Sequence, residues 1–166
     1  MLKIIKADIN NINDIVSIAY DTWFPTYKNV ISQEQIDFMF GEMYTPEAIY
    51  KQMGFLGHEF YIAYENERAV GFASVSEMIH ETPSTYKIHK LYFLPETHGK
   101  GFGKTMLKHL EMEYKERAEF LILNVNINNP AYHFYIKMDF TVRERIDIPY
   151  GKFMLNDFVM EKNLQN

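Results

Sequence analysis

Apolar residues recur at helical spacing over Ile12, Ile15, Val16, Ala19, Tyr20 and Trp23, with Asn10, Asn11 or Asn13 available as caps. This predicts a helix that Pro25 closes, preceded by a weakly alternating first strand over Leu2 to Lys6. Ser32 and Gln35 read as a capping box opening a second helical face of Ile36, Met39, Phe40 and Met43. Thr45-Pro46 restarts the chain helically, with Ile49 and Met53 on one side. The period then changes to that of strands. Glu59 to Tyr64 and Ala69 to Glu77 form a hairpin about the polar turn Glu65-Asn66-Glu67-Arg68, and a polar connection over His80 to Thr85 leads to a fourth strand ending at Leu94. Pro95, which has no N–H for a ladder, stops it. A helix with Phe102, Met106, Leu107, Leu110 and Tyr114 on one face follows. After it come a strand over Phe120 to Asn126, a short helix over Asn129 to Met138, and strands over Phe140 to Ile146 and Phe153 to Lys162. The order β-α-α-β-β-β-α-β-α-β-β implies a mixed α/β fold, a single domain spanning residues 1–166 with helices on both faces of one sheet.

The most informative stretch joins the fourth strand to its helix. Gly99, Gly101 and Gly103 alternate there and are followed by Lys104. A helix that starts in such a turn leaves its first N–H groups unpaired and converging, and its dipole favours an anion at that point. Three phosphate motifs compete. The nucleotide P-loop G-x-x-x-x-G-K-[ST] finds its end in Gly103, Lys104 and Thr105 but has His98 where its first glycine belongs. The dinucleotide fingerprint G-x-G-x-x-G meets Lys104 or Met106 at its last position. The third pattern, [QR]-x-x-G-x-[GA], is met by His98-Gly99-Lys100-Gly101-Phe102-Gly103 except at its first residue.

Composition narrows the field. An apolar fraction of 47% and an aromatic fraction of 16% suffice for a packed core and exclude a disordered chain. With no cysteine, disulfides, thiolate metal sites and a cysteinyl acyl-enzyme are excluded. His58, His80, His109 and His133 lack ligand spacing, so no metal is expected. A net charge of −5 disfavours nonspecific nucleic-acid binding, and no apolar run approaches a membrane span. The expectation is a soluble cytoplasmic protein without nucleic-acid or membrane partners.

The third glycine pattern is the acyl-CoA pyrophosphate turn, and a second segment agrees with it. Asn128, Ala131, Phe134, Tyr135 and Phe140 match N-x-x-A-x-x-F-Y-x-x-x-G-F, with Asp139 in place of the glycine. The chain thus resembles the GNAT superfamily of acyl-CoA-dependent N-acetyltransferases. The segments DTWFPTY and FMLNDFVMEKNL look like those of polyamine-type bacterial members. The resemblance implies a mixed, mostly antiparallel sheet of about seven strands with four to five helices. It also implies acetyl-CoA as cosubstrate, without a metal, and transfer of the acetyl group to a primary amine by direct attack in a ternary complex. A polyamine or other small amine is the favoured acceptor. A protein or peptide acceptor, or a non-catalytic acyl-CoA sensor, is the alternative. Dimers are common in the family, which makes a homodimer an expectation from resemblance alone.

Residue by residue, the resemblance assigns the pyrophosphate to the backbone from His98 and Gly99 through Lys100, Gly101, Phe102 and Gly103 to Lys104. Lys100 and Lys104 add charge, and His98 replaces the usual Gln or Arg. The backbone of Leu91, Tyr92 and Phe93 would pair with the pantetheine arm, with the N–H near Leu91 facing the developing oxyanion. Asn128 would bond the cofactor, and Tyr135 would protonate the departing thiolate. Alignment on the turn puts His89 at the position of the general base, with Glu77 on the neighbouring strand as the alternative. Trp23, Phe24 and Tyr27, together with Asp147 and Tyr150, would line the acceptor pocket, where aromatic faces and a carboxylate suit a cationic amine.

Overall fold

One parallel pair interrupts an otherwise antiparallel seven-stranded sheet. The computed structural model describes residues 1–166. Its elements are β1 (Leu2–Lys6), α1 (Ile12–Tyr27), α2 (Gln33–Met43), α3 (Pro46–Gly54), β2 (Glu59–Glu65), β3 (Arg68–Glu77), β4 (Thr85–Phe93), α4 (Phe102–Tyr114), β5 (Phe120–Asn126), α5 (Ala131–Lys137), β6 (Thr141–Tyr150) and β7 (Phe153–Asn163). The sheet order is β1-β2-β3-β4-β5-β7-β6, and only β4 and β5 run parallel. The chain therefore crosses over through α4, as a parallel pair requires.

Three helices, not two, separate β1 from β2, because Tyr44 ends α2 before Thr45 caps α3. The Thr45 hydroxyl accepts the Ala48 N–H at 3.1 Å and Pro46 occupies the first helical position. Pro25 does not close α1, which continues to Tyr27. The missing N–H would have gone to the carbonyl of Asp21, and Asp21 is exposed, so water can satisfy that oxygen. The capping box at Ser32 is half made. Its hydroxyl accepts the Gln35 N–H at 3.1 Å, but the buried Gln35 side chain turns inward toward Met39 Sδ. β6 runs on to Tyr150, beyond the expected Ile146, because its ladder with β7 continues to the Tyr150–Phe153 pair about a turn at Gly151. β6 is the sheet edge, which is why Pro149 is tolerated in it.

The sheet buries both faces. On one, Phe72 and Tyr92 pair across β3 and β4 and pack against Trp23 and Tyr44 of the α1–α2 layer. On the other, Phe93 meets Phe102 of α4. Phe93 lies over Gly71, where a Cβ would sit 2.3 Å from its ring, so only glycine fits there. At the end of α4, Tyr114 donates to Glu59 at 2.6 Å and pairs with the Tyr61 hydroxyl at 3.0 Å, which docks the helix onto β2.

Candidate active site

The parallel ladder between β4 and β5 runs from Thr85–Phe120 to Ile88–Leu123 and stops. Beyond it β4 stays with β3 as far as the Phe93–Gly71 pair, while β5 stays with β7 as far as Asn126–Asp157. The two strands part and leave a gap through the sheet. A bulge in β4 accompanies the parting. Ser74 faces Lys90 and Val75 faces Ile88, so His89 is the extra residue. The bulge shifts the phase of the strand, and Lys87, His89, Lys90 and Tyr92 all line one cavity.

Backbone direction at the gap follows from one bond. The Leu94 N–H goes to Val70 of β3 at 2.9 Å. By the alternation of strand groups, the N–H and C=O of Leu91 and Phe93 point away from β3, into the gap. The Phe93 carbonyl is met there by His98 Nε2 at 3.0 Å, which pins the turn to the end of β4.

The turn itself puts Gly99 at φ 86° and Gly101 at φ 78°, with Gly101 as the residue before α4. Both need the left-handed region, and around both a Cβ would meet open space. The glycines here are thus required by backbone conformation, while the opening in front of them is free. Gly103 is different: its virtual Cβ lies 3.5 Å from Phe134 of α5, an ordinary packing contact. Phe102 packs on Phe93 as core. Lys100 is drawn to Glu65 at 3.0 Å, and Lys104 is exposed with no ion-pair partner.

Behind the gap lies a cavity of about 560 Å³, within the range of small-molecule sites. Its walls include Tyr135, Ala131 and Asn126 on the α5 side and Trp23, Tyr27, Tyr44 and Tyr150 on the α1–α2 side. The Tyr27 and Tyr92 hydroxyls bond at 2.7 Å, and Trp23 stacks obliquely on Tyr27 with ring centroids 4.5 Å apart. Tyr135 is buried, 9% exposed, and burial raises its phenol well above the ordinary value, with a smaller contribution from Tyr27. It holds its proton throughout the neutral range.

One carboxylate, Asp157 of β7, lines the cavity. Burial pushes its pKa up, against a hydrogen bond from Asn124 and the charge of Lys87, which both pull it down. Lys90 is 6% exposed, donates to Gln52 Oε1 at 2.8 Å, and sits 5.7 Å from the ring centres of Tyr44 and Phe60. Burial lowers its pKa to about 8. His58 and His89 stack at 4.2 Å, and His89 Nε2 pairs with the Ser76 hydroxyl at 2.7 Å. Burial first, then His58, Lys87 and Lys90, push His89 down to about 2; burial and the two lysines take His58 to about 4. Both imidazoles are neutral.

Of the residues singled out in the sequence, the cavity brings together Trp23, Tyr27, His89, Leu91, Tyr92, Phe93, His98, Tyr135 and Tyr150. It leaves out Glu77, exposed at the end of β3, and Phe24, which is exposed on α1. Asp147 points elsewhere, accepting from Asn156 at 2.8 Å. Asn128 is exposed, and just before α5 the Asn129 side chain accepts the Ala131 N–H at 2.9 Å. Asn124, Asn126 and Asn129 reach the cavity instead. Sequence reasoning passed over Asp157, Lys87, Lys90 and Gln52. A carboxylate amid the apolar positions of FMLNDFVM was the available signal for the first.

Comparison with known proteins bears on this arrangement. The sequence model of the acetyltransferase (GNAT) family matches residues 19–140. A spermidine N(1)-acetyltransferase from Thermoplasma acidophilum is 25% identical over 171 aligned residues, covering 99% of each chain. The crystal structure of PaiA N-acetyltransferase from the same organism, in complex with coenzyme A, superposes with a TM-score of 0.79 at 25% identity over 98% of this chain and 99% of that one. A GCN5-related N-acetyltransferase structure from Rhodopseudomonas palustris superposes at 0.80 with 20% identity, over 97% and 94% of the two chains, a likeness of fold.

Proposed function

Because the chain belongs to the GNAT acetyltransferase family, whose model spans well over half of it, we propose that it moves an acetyl group from acetyl-CoA to the primary amine of a small molecule. The transfer is by direct attack in a ternary complex, within a single domain spanning residues 1–166. One observation carries this reading: a single cavity runs from Tyr135 on one side of the parted strands to Trp23 and Asp157 on the other. A donor and an acceptor can meet in it without a covalent enzyme intermediate.

The residues present fit acetyl-CoA. The left-handed Gly99 and Gly101 present backbone N–H groups to an open space, the start of α4 adds its dipole, and Lys104 is free to approach a phosphate. The edge of β4 left free at Leu91 and at the Phe93 N–H suits an extended arm carrying amide groups. Acetyl-CoA supplies, when bound, an acetyl thioester with a thiolate leaving group. The Leu91 N–H would donate to the thioester oxygen, an interaction whose loss in comparable sites costs about 3 kcal/mol. Tyr135, kept protonated by burial, offers its O–H to the leaving sulfur.

For the base we choose Asp157 over His89 and Glu77. A primary ammonium, with a pKa of about 10.4 in water, must lose a proton before it can attack. His89 is held neutral but is a very weak proton acceptor, and Glu77 lies outside the cavity. Asp157 has its basicity raised by burial and is the carboxylate that an ammonium in the cavity can meet. The similarity to the spermidine enzyme supports a polyamine acceptor, whereas two lysines in the wall work against a polycation.

Free-thiol release from acetyl-CoA across a panel of amines tests the reading. The chain has no thiol of its own, so a thiol reagent reports CoA alone. Release dependent on a small amine is expected. Release only with protein or peptide lysines would move the acceptor to a macromolecule. Tight acetyl-CoA binding without release for any amine would mark a binding protein.

A further inference from the structure

The cavity wall carries more positive than negative charge. Lys87 and Lys90 both line it, against the single carboxylate of Asp157. Lys90 is buried with only a neutral amide as hydrogen-bond partner, and a buried cation without a counter-ion is costly. Lys87 is largely withdrawn from solvent and makes no hydrogen bond or ion pair. Lys87 and Asp157 influence each other's ionisation yet do not close into a salt bridge. Both line the one cavity, so a zwitterion inside it can face a charge of each sign. The bulge at His89 creates this arrangement, because without the extra residue Lys87 and Lys90 would face opposite sides of the sheet.

We propose that the acceptor is a small α-amino acid, its ammonium held at Asp157 and its carboxylate between Lys87 and Lys90. This rests on the acetyl-transfer reading above and names its substrate class. The stacked, neutral pair of His58 and His89 forms the wall beside the lysines and adds no competing charge. The Trp23–Tyr27–Tyr44 aromatic cluster is left for the amino-acid side chain, which favours an apolar or aromatic one. A polyamine would instead set a second ammonium against Lys87 or Lys90, where like charges repel.

The test reads binding and turnover separately. Trp23, the one tryptophan, lines the cavity, so its fluorescence reports occupancy. A panel of N-acetyl-L-amino acids, each beside its carboxamide, and N1-acetylspermidine are titrated with CoA present. The free acid of the preferred side chain is expected to bind at least tenfold tighter than its amide. Lys87→Met is expected to abolish that difference while leaving the amide's affinity within about twofold. Equal affinity for acid and amide, or tighter binding of N1-acetylspermidine than of every acid, overturns the proposal, and the wild-type comparison decides even where the variant folds poorly. Thiol release with the free amino acids is measured alongside. Its absence with every amine would sink acetyl transfer, while the binding series still decides the pocket.

Discussion

The hydroxyls of Tyr27 and Tyr92 meet at 2.7 Å, tying the last turn of α1 to β4 where the sheet has parted. Because α1 continues past Pro25, Tyr27 falls in its last turn and reaches this point. Both phenols are pushed upward by burial, and Tyr27 in turn contributes to the upward shift of Tyr135. Three neutral phenols therefore line the one cavity.

Tyr135→Phe removes the O–H that would reach the leaving sulfur but keeps the ring that packs on Phe134 and Phe140. Turnover is expected to fall by about 10²-fold, within the usual range for loss of a general acid. Acetyl-CoA affinity should stay within about twofold. Steady-state thiol release and calorimetric titration check the two halves, and unchanged turnover would remove Tyr135 from the chemistry.

Asp157→Asn separates function from stability. Burial raises the Asp157 pKa, so the unfolded chain gives up this proton more easily than the folded one. The ionised carboxylate then costs stability at pH values above its unfolded pKa of about 3.9, and the cost disappears as pH falls below that. The asparagine variant should melt at or above the wild-type temperature at pH 7 and lose this advantage below about pH 4. Its kcat/KM for the amine should drop by about 10²-fold or more. A variant that melts lower at pH 7 yet transfers normally would contradict both assignments.

Lys90→Met applies the same logic to a cation. The side chain falls from 10.5 to about 8 on folding, on the order of 3 kcal/mol at ~1.4 kcal/mol per factor of ten. That cost is fully present below about pH 8 and fades as pH rises toward the unfolded value near 10.5. Wild-type stability, measured by denaturant titration, should therefore climb between pH 8 and 10 where the methionine variant's does not. At pH 7 the variant should be the more stable. The gain should fall short of the full figure, since Gln52 loses a donor to its Oε1.

Local rules made much of this legible in the sequence. Pro95 ended β4, Thr45-Pro46 opened α3, and Asp139 takes the left-handed φ of 69° expected where the family pattern has glycine. Each depends on a residue and its neighbours. The charge lining did not yield to the same reading, because it depends on pairing at a distance. The bulge that brings Lys87 and Lys90 to one side is a mismatch between β3 and β4, and no residue of β4 announces it. Asp157 reaches the cavity because β7 pairs with β5 opposite Asn126, while Asp147, another carboxylate nearer a turn, bonds to Asn156 outside.

Gly101→Ala tests the donor side by a different route. The residue sits at φ 78° immediately before α4, and open space surrounds its virtual Cβ. The folded protein alone therefore suffers only the left-handed strain of a non-glycine residue, roughly 1–2 kcal/mol. A bound pyrophosphate changes that sum, since the space open in front of the turn is where its oxygens must approach the backbone N–H groups. The expected result is a modest loss of melting temperature with a loss of acetyl-CoA affinity of tenfold or more, measured by calorimetry at a temperature where the variant is fully folded. Gly103→Ala provides the contrast, because its Cβ would meet Phe134 at an ordinary 3.5 Å within the helix. If both variants bound acetyl-CoA as tightly as the wild type, the cradle would have to lie elsewhere, and the likeness of this turn to a pyrophosphate site would be one of conformation alone.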